Sequence, residues 1–264
     1  MNSRQPSIAP PSSALIIPAL DEAGSIRGVV AGFLDVERSP GVRWLDEVVV
    51  VDNGSTDGTA AVAKDAGATV VFERQRGYGA ACLAGMAYLR DRPQGPPQVV
   101  VFADGDGANV PDDLRALLAP IERGEVAMVI GARDRLADRG SLTLPQRFGN
   151  LLAARLMAHL YGATYTDLGP FRAIRWDALT ALGMEDLNYG WTVEMQLKAA
   201  QQHVASTEVD VRNRCRAAGH SKVAGTVRGV VGAGTKILWT IFRYRSPGFR
   251  GRFHEAPDRA KRDG

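Results

Sequence analysis

The sequence predicts an α/β fold in which helices cover both faces of a mostly parallel β-sheet. Five apolar runs rich in β-branched residues indicate strands, at residues 14–18, 47–52, 69–73, 98–104 and 127–132. The segments between these runs repeat apolar residues every three or four positions, which is typical of amphipathic helices. Strands that alternate with helices build a parallel sheet, because each connection crosses one of its faces. The chain has 264 residues, 45% of them hydrophobic, which is enough to form the core of such a domain.

Composition narrows the class of protein. The chain has 32 Lys and Arg against 29 Asp and Glu, and the resulting net charge of +3 indicates neither nucleic-acid nor membrane binding by itself. We expect no nucleic-acid partner. Cys82 and Cys215 stand far apart without neighbouring histidines, so neither a disulfide framework nor a zinc site is predicted. A reducing cytoplasm fits this cysteine usage.

The two ends of the chain differ from the centre. The first 13 residues contain three prolines and lack the apolar centre of a signal peptide, so we expect residues 1–13 to form a flexible lead. Residues 212–264 hold thirteen Lys and Arg against three Asp and Glu, a net charge of +10, whereas the preceding residues carry −7. Basic charge is therefore concentrated at one end, where residues 247–264 are expected to form a basic flexible tail.

Unusual polar residues follow the ends of four predicted strands. The sequence PALDE ends the first strand, VDNGSTDGT the second, DGDGAN the fourth and GARDR the fifth. Ligands of parallel α/β sheets bind beyond the carboxyl ends of the strands. We therefore expect the functional site at this edge of the sheet.

A glycine pair precedes the third predicted helix, in RGYGAACLAG. It does not complete a dinucleotide-binding motif, because the third glycine position of G-x-G-x-x-G is Cys82, and the chain has no P-loop motif. Two interpretations of Gly77 and Gly79 remain. They are either the start of a helix that lets a ligand approach the backbone, which we favour, or a plain turn.

The stretch VDNGSTDGT also has two interpretations. Its polar residues are ordinary turn and N-cap formers ahead of a helix that begins near Thr59. Alternatively, Asp52 at the end of a buried strand accepts the imide N–H of a uracil, and the turn that follows supplies backbone donors. Glu22, after the first strand, would face the same crevice.

Asp104 and Asp106 are separated by one glycine at the end of the fourth strand. Carboxylates this close repel each other unless a divalent cation bridges them, and Mg²⁺ or Mn²⁺ favours such oxygen ligands together with a pyrophosphate. The cation would also neutralise charge on a departing nucleoside diphosphate. The alternative is a solvated Asp-Gly turn, which the position at a strand end disfavours.

Taken in order, these motifs resemble the family 2 glycosyltransferases with the GT-A fold, in the group that makes polyprenyl-phosphate sugars. Six segments carry the resemblance: IIPALDEAGSI, VDNGSTDGT, DGDG, DLGPFRAIRWDAL, NYGWTVEMQLKAA and RNRCRAAGHSKVAGT. It covers roughly residues 14–240. The resemblance implies a GT-A domain over residues 14–220, followed by an amphipathic helix over residues 221–246.

The resemblance also implies roles for individual residues. Asp104 and Asp106 would be catalytic, as the ligands of Mg²⁺ or Mn²⁺ that hold a nucleotide-sugar donor. The donor would further contact Pro18, Leu20, Glu22, Asp52, Asn53, Gly54, Ser55, Gly79 and Gly105. The phosphate groups, including that of a lipid phosphate acceptor, would face Arg133, Arg147, Arg214 and Lys222. The basic character of these side chains is consistent with phosphate binding, because ammonium and guanidinium groups form strong hydrogen bonds with phosphate oxygens.

Three positions depart from the pattern of that group. Asp21 stands where Asn is usual, and Asn53 replaces the second Asp of the common V-D-D-G-S. Ala108 occupies a position that is often polar in the mannose-transferring members. DGDGAN with GAACLAGM is closer to the glucose-transferring members, so UDP-glucose is the first expected donor and GDP-mannose the second.

The acceptor decides whether a general base is needed. A sugar hydroxyl must lose a proton during attack, whereas a phosphate monoester is already anionic. Glu194 is the obvious acid of the distal part and the candidate catalytic residue there, although it lacks the adjacent Asp common among hydroxyl-directed members. Alternatively it orients a helix or holds an arginine. The missing pair favours a phosphate acceptor and an inverting, single-displacement transfer.

Residues 223–245 are the segment that bears on whether the protein contacts a membrane. They carry Arg228, Lys236 and four glycines, too many interruptions for a spanning helix. Their apolar residues fall on one helical face, with Trp239 and Tyr244 beside basic residues that suit the headgroup level. We therefore expect peripheral docking at the cytoplasmic face of a membrane. The alternative is an amphipathic helix packed on the domain.

Two other functions compete with this interpretation. The same fold and metal would also serve transfer to a saccharide or small-molecule hydroxyl. A non-catalytic nucleotide-binding module would bind the nucleotide and metal without transfer, although the intact Asp104 and Asp106 argue against it.

Overall fold

The chain folds around a seven-stranded sheet in a computed structural model that describes residues 12–138, 140–141, 143–217 and 227–244. The strand order is β5-β4-β1-β6-β8-β7-β9. The strands of this sheet are β1 (Ser13–Ala19), β4 (Glu47–Asp52), β5 (Thr69–Phe72), β6 (Val99–Phe102), β7 (Met128–Ala137), β8 (Arg172–Arg175) and β9 (Ser206–Asn213). A separate two-stranded ribbon is formed by β2 (Glu37–Ser39) and β3 (Val42–Arg43). All five predicted strands are present.

Eight helices connect and cover the strands in the described part of the chain. They are α1 (Ile26–Leu34), α2 (Thr59–Asp65), α3 (Tyr78–Asp91), α4 (Leu114–Glu122), α5 (Leu144–Tyr161), α6 (Trp176–Leu182), α7 (Trp191–Gln201) and α8 (Val227–Arg243). A 3-10 turn at Pro111–Asp113 precedes α4. The predicted fold class, a mostly parallel sheet flanked by helices, is confirmed.

The register brings the polar strand ends to one edge of the sheet. β1 lies between β4 and β6 and pairs with both in parallel, with Ala19 opposite Asp52 and Ile16 opposite Phe102. β8 is antiparallel to both β6 and β7, whereas β7 and β9 are parallel to each other. The segments after β1, β4, β6, β7 and β9 therefore meet at the same edge, as expected for a mostly parallel sheet.

The hydrophobic core is divided by the sheet into two clusters. Successive side chains of a strand point to opposite faces, so Ile16 and Ile17 belong to different clusters. α3, α5, α7 and α8 pack on the face of Ile16, where Trp191 of α7 contacts Phe102 edge to face. α1 and α4 cover the other face. Both faces are thus sealed, which is why the strands are near-continuous apolar runs.

α8 is packed against the domain by part of its predicted apolar face. Thr240, Ile241 and Tyr244 are buried, and the Gln201 amide donates to the Tyr244 carbonyl at 3.0 Å. The prediction that Tyr244 lies at the headgroup level is therefore wrong, because its ring is enclosed by the core. In the described residues, no helix has the length and apolar character required to span a bilayer.

Candidate active site

Two adjoining pockets open at the edge where the parallel strands end. The strand-end pocket, of about 320 Å³, is formed by residues after β1, β4 and β6, by the start of α3 and by residues 188–189. The arginine pocket, of about 360 Å³, lies between the loop after β6, β7, the start of α5 and the segment after β9. Asp104, Asp106 and Arg216 line both pockets. These three side chains form the boundary between them.

The loop that carries the two aspartates is fixed by its own hydrogen bonds. The Asp104 N–H donates to Asn109 Oδ1 at 2.9 Å, and the Ala108 N–H donates to Asp106 Oδ1 at 2.9 Å. Gly107 has a φ of +80°, a left-handed conformation that glycine adopts without strain. This turn holds both carboxylates side by side at the end of β6.

The electrostatics of the pair favour an added cation. Burial, and then the neighbouring carboxylate of Asp106, raise the pKa of Asp104 to about 7, although Arg133 and Arg216 act in the opposite direction. The hydroxyl of Tyr78 also hydrogen-bonds to Asp104. Because like charges in a buried site repel each other, a cation beside the pair would stabilise the charged form of both carboxylates.

The residues present fit a hard divalent ion. Mg²⁺ commonly binds through one or two carboxylates plus the phosphates of a substrate, and Mn²⁺ accepts similar oxygen ligands. Within the residues that the structure describes, no group of three or more His, Cys, Asp or Glu could hold an ion. Asp104 and Asp106 are therefore the residues that could hold a metal, with a diphosphate and water completing its shell.

Arg216 contacts the pair and was missed by sequence reasoning, which selected Arg214. One Arg216 amino group lies 3.1 Å from Asp106 Oδ2, and the other lies 3.3 Å from Glu22 Oε1. The Ala217 N–H donates to the Asp106 carbonyl at 3.0 Å, which fixes this segment against the aspartate loop. Nothing in the alternating arginines of RNRCR distinguishes which one faces the carboxylates.

The predicted donor residues fall into two groups. Those that line the strand-end pocket are Pro18, Leu20, Glu22, Asn53, Asp104, Gly105 and Asp106. The others do not line the pocket. Gly79 lies in α3, and Asp52, Gly54 and Ser55 shape the turn after β4, where Asp52 is 5% exposed and accepts from the Ser55 N–H at 2.8 Å, and Gly54 has a φ of +81°. Contact between Asp52 and a nucleobase stays a prediction.

Asn53 holds the rim of the strand-end pocket. Its amide group donates to the carbonyls of Glu73 at 3.1 Å and Gln75 at 2.7 Å, and its Oδ1 accepts from the Gly77 N–H at 2.7 Å. Replacement of the usual Asp by Asn at this position therefore supplies donors that a carboxylate lacks. The side chain ties the end of β4 to the segment that leads into α3.

The glycine pair serves protein packing, which corrects the predicted role of Gly79. A Cβ on Gly79 would lie 1.8 Å from the Asp186 carbonyl oxygen, and one on Gly77 would lie 2.0 Å from that of Leu187. The Ala80 N–H donates to the same Leu187 carbonyl at 3.0 Å. At both glycines the structure thus shows a close approach between two backbone segments, and Gly77 also lines the strand-end pocket. Residues 185–190, missed in the sequence, reach the pocket through Asn188 and Tyr189.

Glu194 is fully buried, and its carboxylate oxygens accept hydrogen bonds from within the protein, so a catalytic role for it stays a prediction that these contacts disfavour. The N–H groups of Glu185 and Asp186 donate to it at 2.9 and 2.7 Å. The Lys198 ammonium lies 2.8 Å away, and the Tyr244 hydroxyl donates at 2.6 Å. These contacts favour the alternative interpretation, in which Glu194 has a positioning role: it holds the loop at residues 185–190, although its cationic partner is a lysine and not an arginine.

The predicted phosphate-binding residues are only partly brought together. Arg133 and Arg214 line the arginine pocket. The Arg133 guanidinium forms two 2.7 Å bonds with Asp167, whose Oδ1 also accepts from Asn150 at 2.7 Å. Arg147 is exposed on α5 and is not among the residues of either pocket. Lys222 lies outside the described residues.

Sequence comparison relates the chain to enzymes that transfer sugars. Residues 14–183 match the model of the family described as glycosyl transferase family 2. An uncharacterised glycosyltransferase of Mycobacterium tuberculosis is 33% identical over 219 residues, 82% of this chain and 92% of the relative. A dolichyl-phosphate hexose transferase of Haloferax volcanii is 33% identical and covers 77% of this chain and 83% of the relative. An undecaprenyl-phosphate mannosyltransferase of Micrococcus luteus is 30% identical and covers 70% of this chain and 78% of the relative.

Solved structures share the fold at lower identity. Glucosyl-3-phosphoglycerate synthase of Mycobacterium tuberculosis, in complex with Mn²⁺, UDP and glucosyl-3-phosphoglycerate, is 23% identical with a TM-score of 0.68, covering 88% of this chain and 79% of that one. Mannosyl-3-phosphoglycerate synthase of Rubrobacter xylanophilus is 18% identical with a TM-score of 0.71, covering 90% of this chain and 76% of that one. At these identities the likeness establishes the GT-A architecture of the domain.

Proposed function

This chain belongs to glycosyl transferase family 2, and on that premise we propose that it is an inverting transferase that moves a hexose from a nucleotide-diphosphate sugar to a polyprenyl phosphate. UDP-glucose is the first candidate donor and GDP-mannose the second. The names of the Haloferax and Micrococcus relatives, which are lipid-phosphate sugar transferases, support this class of acceptor.

The composition of the arginine pocket carries the proposal. Three arginines line it, and among its described residues the only carboxylates are Asp104 and Asp106. A hydroxyl acceptor requires a base within hydrogen-bond reach. Both carboxylates lie at the boundary with the strand-end pocket, where they would serve as metal ligands and not as a base. A phosphate monoester needs no base, and guanidinium groups bind its oxygens. This pocket therefore suits a phosphate acceptor.

The strand-end pocket would hold the donor. Asp104 and Asp106 would bind Mg²⁺ or Mn²⁺, which would supply Lewis-acid neutralisation of the leaving diphosphate. Tyr78 orients Asp104, and Asn53 fixes the rim beside the nucleoside. With the donor on one side of the aspartates and the acceptor on the other, attack occurs opposite the leaving group. The anomeric centre is then inverted.

A donor and acceptor panel tests the proposal. UDP-glucose, UDP-galactose, UDP-N-acetylglucosamine and GDP-mannose are each incubated with Mg²⁺ and a polyprenyl phosphate, a saccharide or 3-phosphoglycerate, and the products are weighed by mass spectrometry. We expect a hexosyl polyprenyl phosphate that mild acid cleaves. If product forms only on a hydroxyl acceptor, the proposed function is wrong and the protein transfers sugar to a saccharide or small-molecule hydroxyl instead.

Asp106→Asn separates an enzyme from a binding module. We expect this variant to lose transfer by about 1000-fold or more, since a metal ion contributes several kcal/mol of transition-state stabilisation. Its melting temperature should stay close to that of the wild type, because the change removes repulsion with Asp104. Asp210→Asn, on the exposed part of β9, is the matched control and should keep full activity. UDP binding without transfer by the wild type would indicate a binding module.

A further inference from the structure

α5 exposes an apolar face that the domain does not cover. Leu144 is 83% exposed, Phe148 68%, Leu151 48% and Leu152 37%. Their spacing places all four on one side of the helix. On the opposite side, Ala153 and Met157 are buried in the core. We call these four residues the α5 face. Large apolar side chains grouped in this way mark an interaction surface.

The charged residues of α5 itself are all basic. The sequence of α5, LPQRFGNLLAARLMAHLY, contains Arg147 and Arg155 but no Asp or Glu. Arg155 follows Leu151 by one turn and is exposed on the same side. An apolar face with basic residues at its border is the combination by which amphipathic helices bind anionic lipid surfaces.

α8 packs beside α5 and has exposed apolar residues of its own. Trp239 is 51% exposed and Phe242 52%. Lys236 and Arg243 stack on the Trp239 ring at 4.5 and 4.9 Å from its centroid. The sequence of α8 also contains no acidic residue. The exposed side of both helices is therefore apolar and basic together.

The α5 face lies beside the mouth of the arginine pocket. Thr143, the N-cap of α5, and Gln146, in its first turn, both line that pocket. Leu144 lies between them in the chain, and Phe148 follows one turn later. A phosphate at the surface of a bilayer contacted by this face would be close to Arg133 and Arg214. We propose that the α5 face is the surface by which the protein docks on an anionic lipid bilayer, an inference that rests on the proposed lipid acceptor.

This surface differs from the one that the sequence indicated. The sequence predicted docking through the helix at residues 221–246 alone, but Ile241 of α8 and Tyr244, which follows α8, are buried in the domain. Trp239 and Phe242 of α8 stay exposed, but α5 has the larger number of exposed large apolar residues. A second copy of the chain is the competing occupant. The one-signed charge disfavours it, since two such faces would repel each other.

Vesicle binding and acceptor length test the proposal in the full-length chain. The Leu144→Ser/Phe148→Ser variant is compared with Phe72→Ser, which alters a phenylalanine of similar exposure, 61%, at the far edge of the sheet. Binding is measured with phosphatidylcholine vesicles with and without phosphatidylglycerol. Transfer is measured with a long-chain polyprenyl phosphate in vesicles and with a water-soluble short-chain prenyl phosphate. Size-exclusion chromatography with light scattering reports the oligomeric state.

The α5 variant should bind anionic vesicles about tenfold or more weakly, because two apolar side chains no longer enter the bilayer. It should use the long-chain acceptor poorly and the short-chain acceptor normally, whereas Phe72→Ser should behave as the wild type. Unchanged vesicle binding by the α5 variant overturns the proposal, as does its conversion of a wild-type dimer to a monomer with vesicle binding intact. Loss of binding in Trp239→Ser/Phe242→Ser but not in the α5 variant also overturns it. If the wild type binds vesicles through α5 but transfers to neither prenyl phosphate, the docking surface stands and the proposed acceptor is wrong.

Discussion

Two buried ion pairs flank the candidate site, and they differ in what their charges face. Arg133–Asp167 joins β7 to the segment before β8, and Lys198–Glu194 joins two turns of α7. The Arg133 side chain keeps 14% of its surface exposed and lines the arginine pocket, whereas Lys198 and Glu194 are completely buried. The first pair borders a pocket and the second does not. Residue type and chain position did not reveal this difference.

The difference follows from how each carboxylate is satisfied. Asp167 and Glu194 are both fully buried acceptors, and each receives backbone N–H groups as well as a cation. Asp167 receives two parallel bonds from the planar guanidinium of Arg133, which leaves other N–H groups of that arginine directed toward the pocket. Lys198 has three donors, which reach Glu194 and the Gly183 carbonyl in the interior. A partly satisfied arginine at a pocket is therefore available for phosphate, and the sealed lysine is not.

Glu194→Ala should have the largest effect on stability. It leaves Lys198 buried without its carboxylate, and loss of one partner of a buried pair costs about 3–5 kcal/mol of unfolding free energy. Urea denaturation measures this. The Glu194→Met/Lys198→Met variant should recover much of the loss, because apolar replacement of both partners removes the unpaired charge. A Glu194→Ala variant with wild-type stability and no turnover would restore Glu194 as a catalytic candidate.

Arg133→Lys should have a smaller effect than Glu194→Ala, and the property it changes should be the binding of the acceptor. The lysine keeps the charge but loses the paired contacts, and a hydrogen bond to a charged group is worth about 1.5–3 kcal/mol. We expect the KM for the acceptor to rise about tenfold or more, while UDP affinity measured by calorimetry stays unchanged. Arg135→Lys, on an 80% exposed side chain of the same strand, is the control. Equal acceptor KM values in both variants would argue against phosphate contact.

The smallest effect concerns the acid dependence of stability. Burial alone would raise the pKa of Asp167, but hydrogen bonds and the charge of Arg133 outweigh it and hold the pKa below the ordinary value of 3.8. The stabilisation is therefore complete above that value and is lost as the pH falls through the lower pKa of the folded state. We expect the unfolding free energy to fall less between pH 7 and pH 3 in Asp167→Asn than in the wild type. Parallel curves would show that Asp167 does not contribute to acid sensitivity.

The first half of the fold was predictable because each of its strands is marked by a pattern of neighbouring residues in the sequence. β1, β4 and β6 are continuous apolar runs that end in polar turns, and a parallel sheet must bring those ends together. β8 was missed, since its four residues, Arg172–Arg175, are too few to show a period. β9 was missed because only Val209 and Val211 of its sequence STEVDVRN are apolar, too few to mark a strand by hydrophobicity.

The misassigned site residues depend on contacts between distant parts of the chain. Glu194 receives a hydrogen bond from Tyr244, 50 residues away, and Gly79 packs against the Asp186 carbonyl. Arg216 reaches Glu22 across 194 residues. No local pattern encodes such pairs, whereas Asp104 and Asp106 were found because both their spacing and their place at a strand end are local features.

In the proposed enzyme, the bridge from Arg216 to Asp106 and Glu22 would make the binding of cation and nucleotide thermodynamically linked. A metal ion that enters alone must displace a guanidinium from Asp106, which weakens its intrinsic affinity. A diphosphate that arrives with the ion gives the released guanidinium a new anionic partner, so each ligand strengthens the binding of the other by the same factor. The two would therefore occupy the site cooperatively, with Arg216 exchanging one anion for another between the empty and the loaded enzyme.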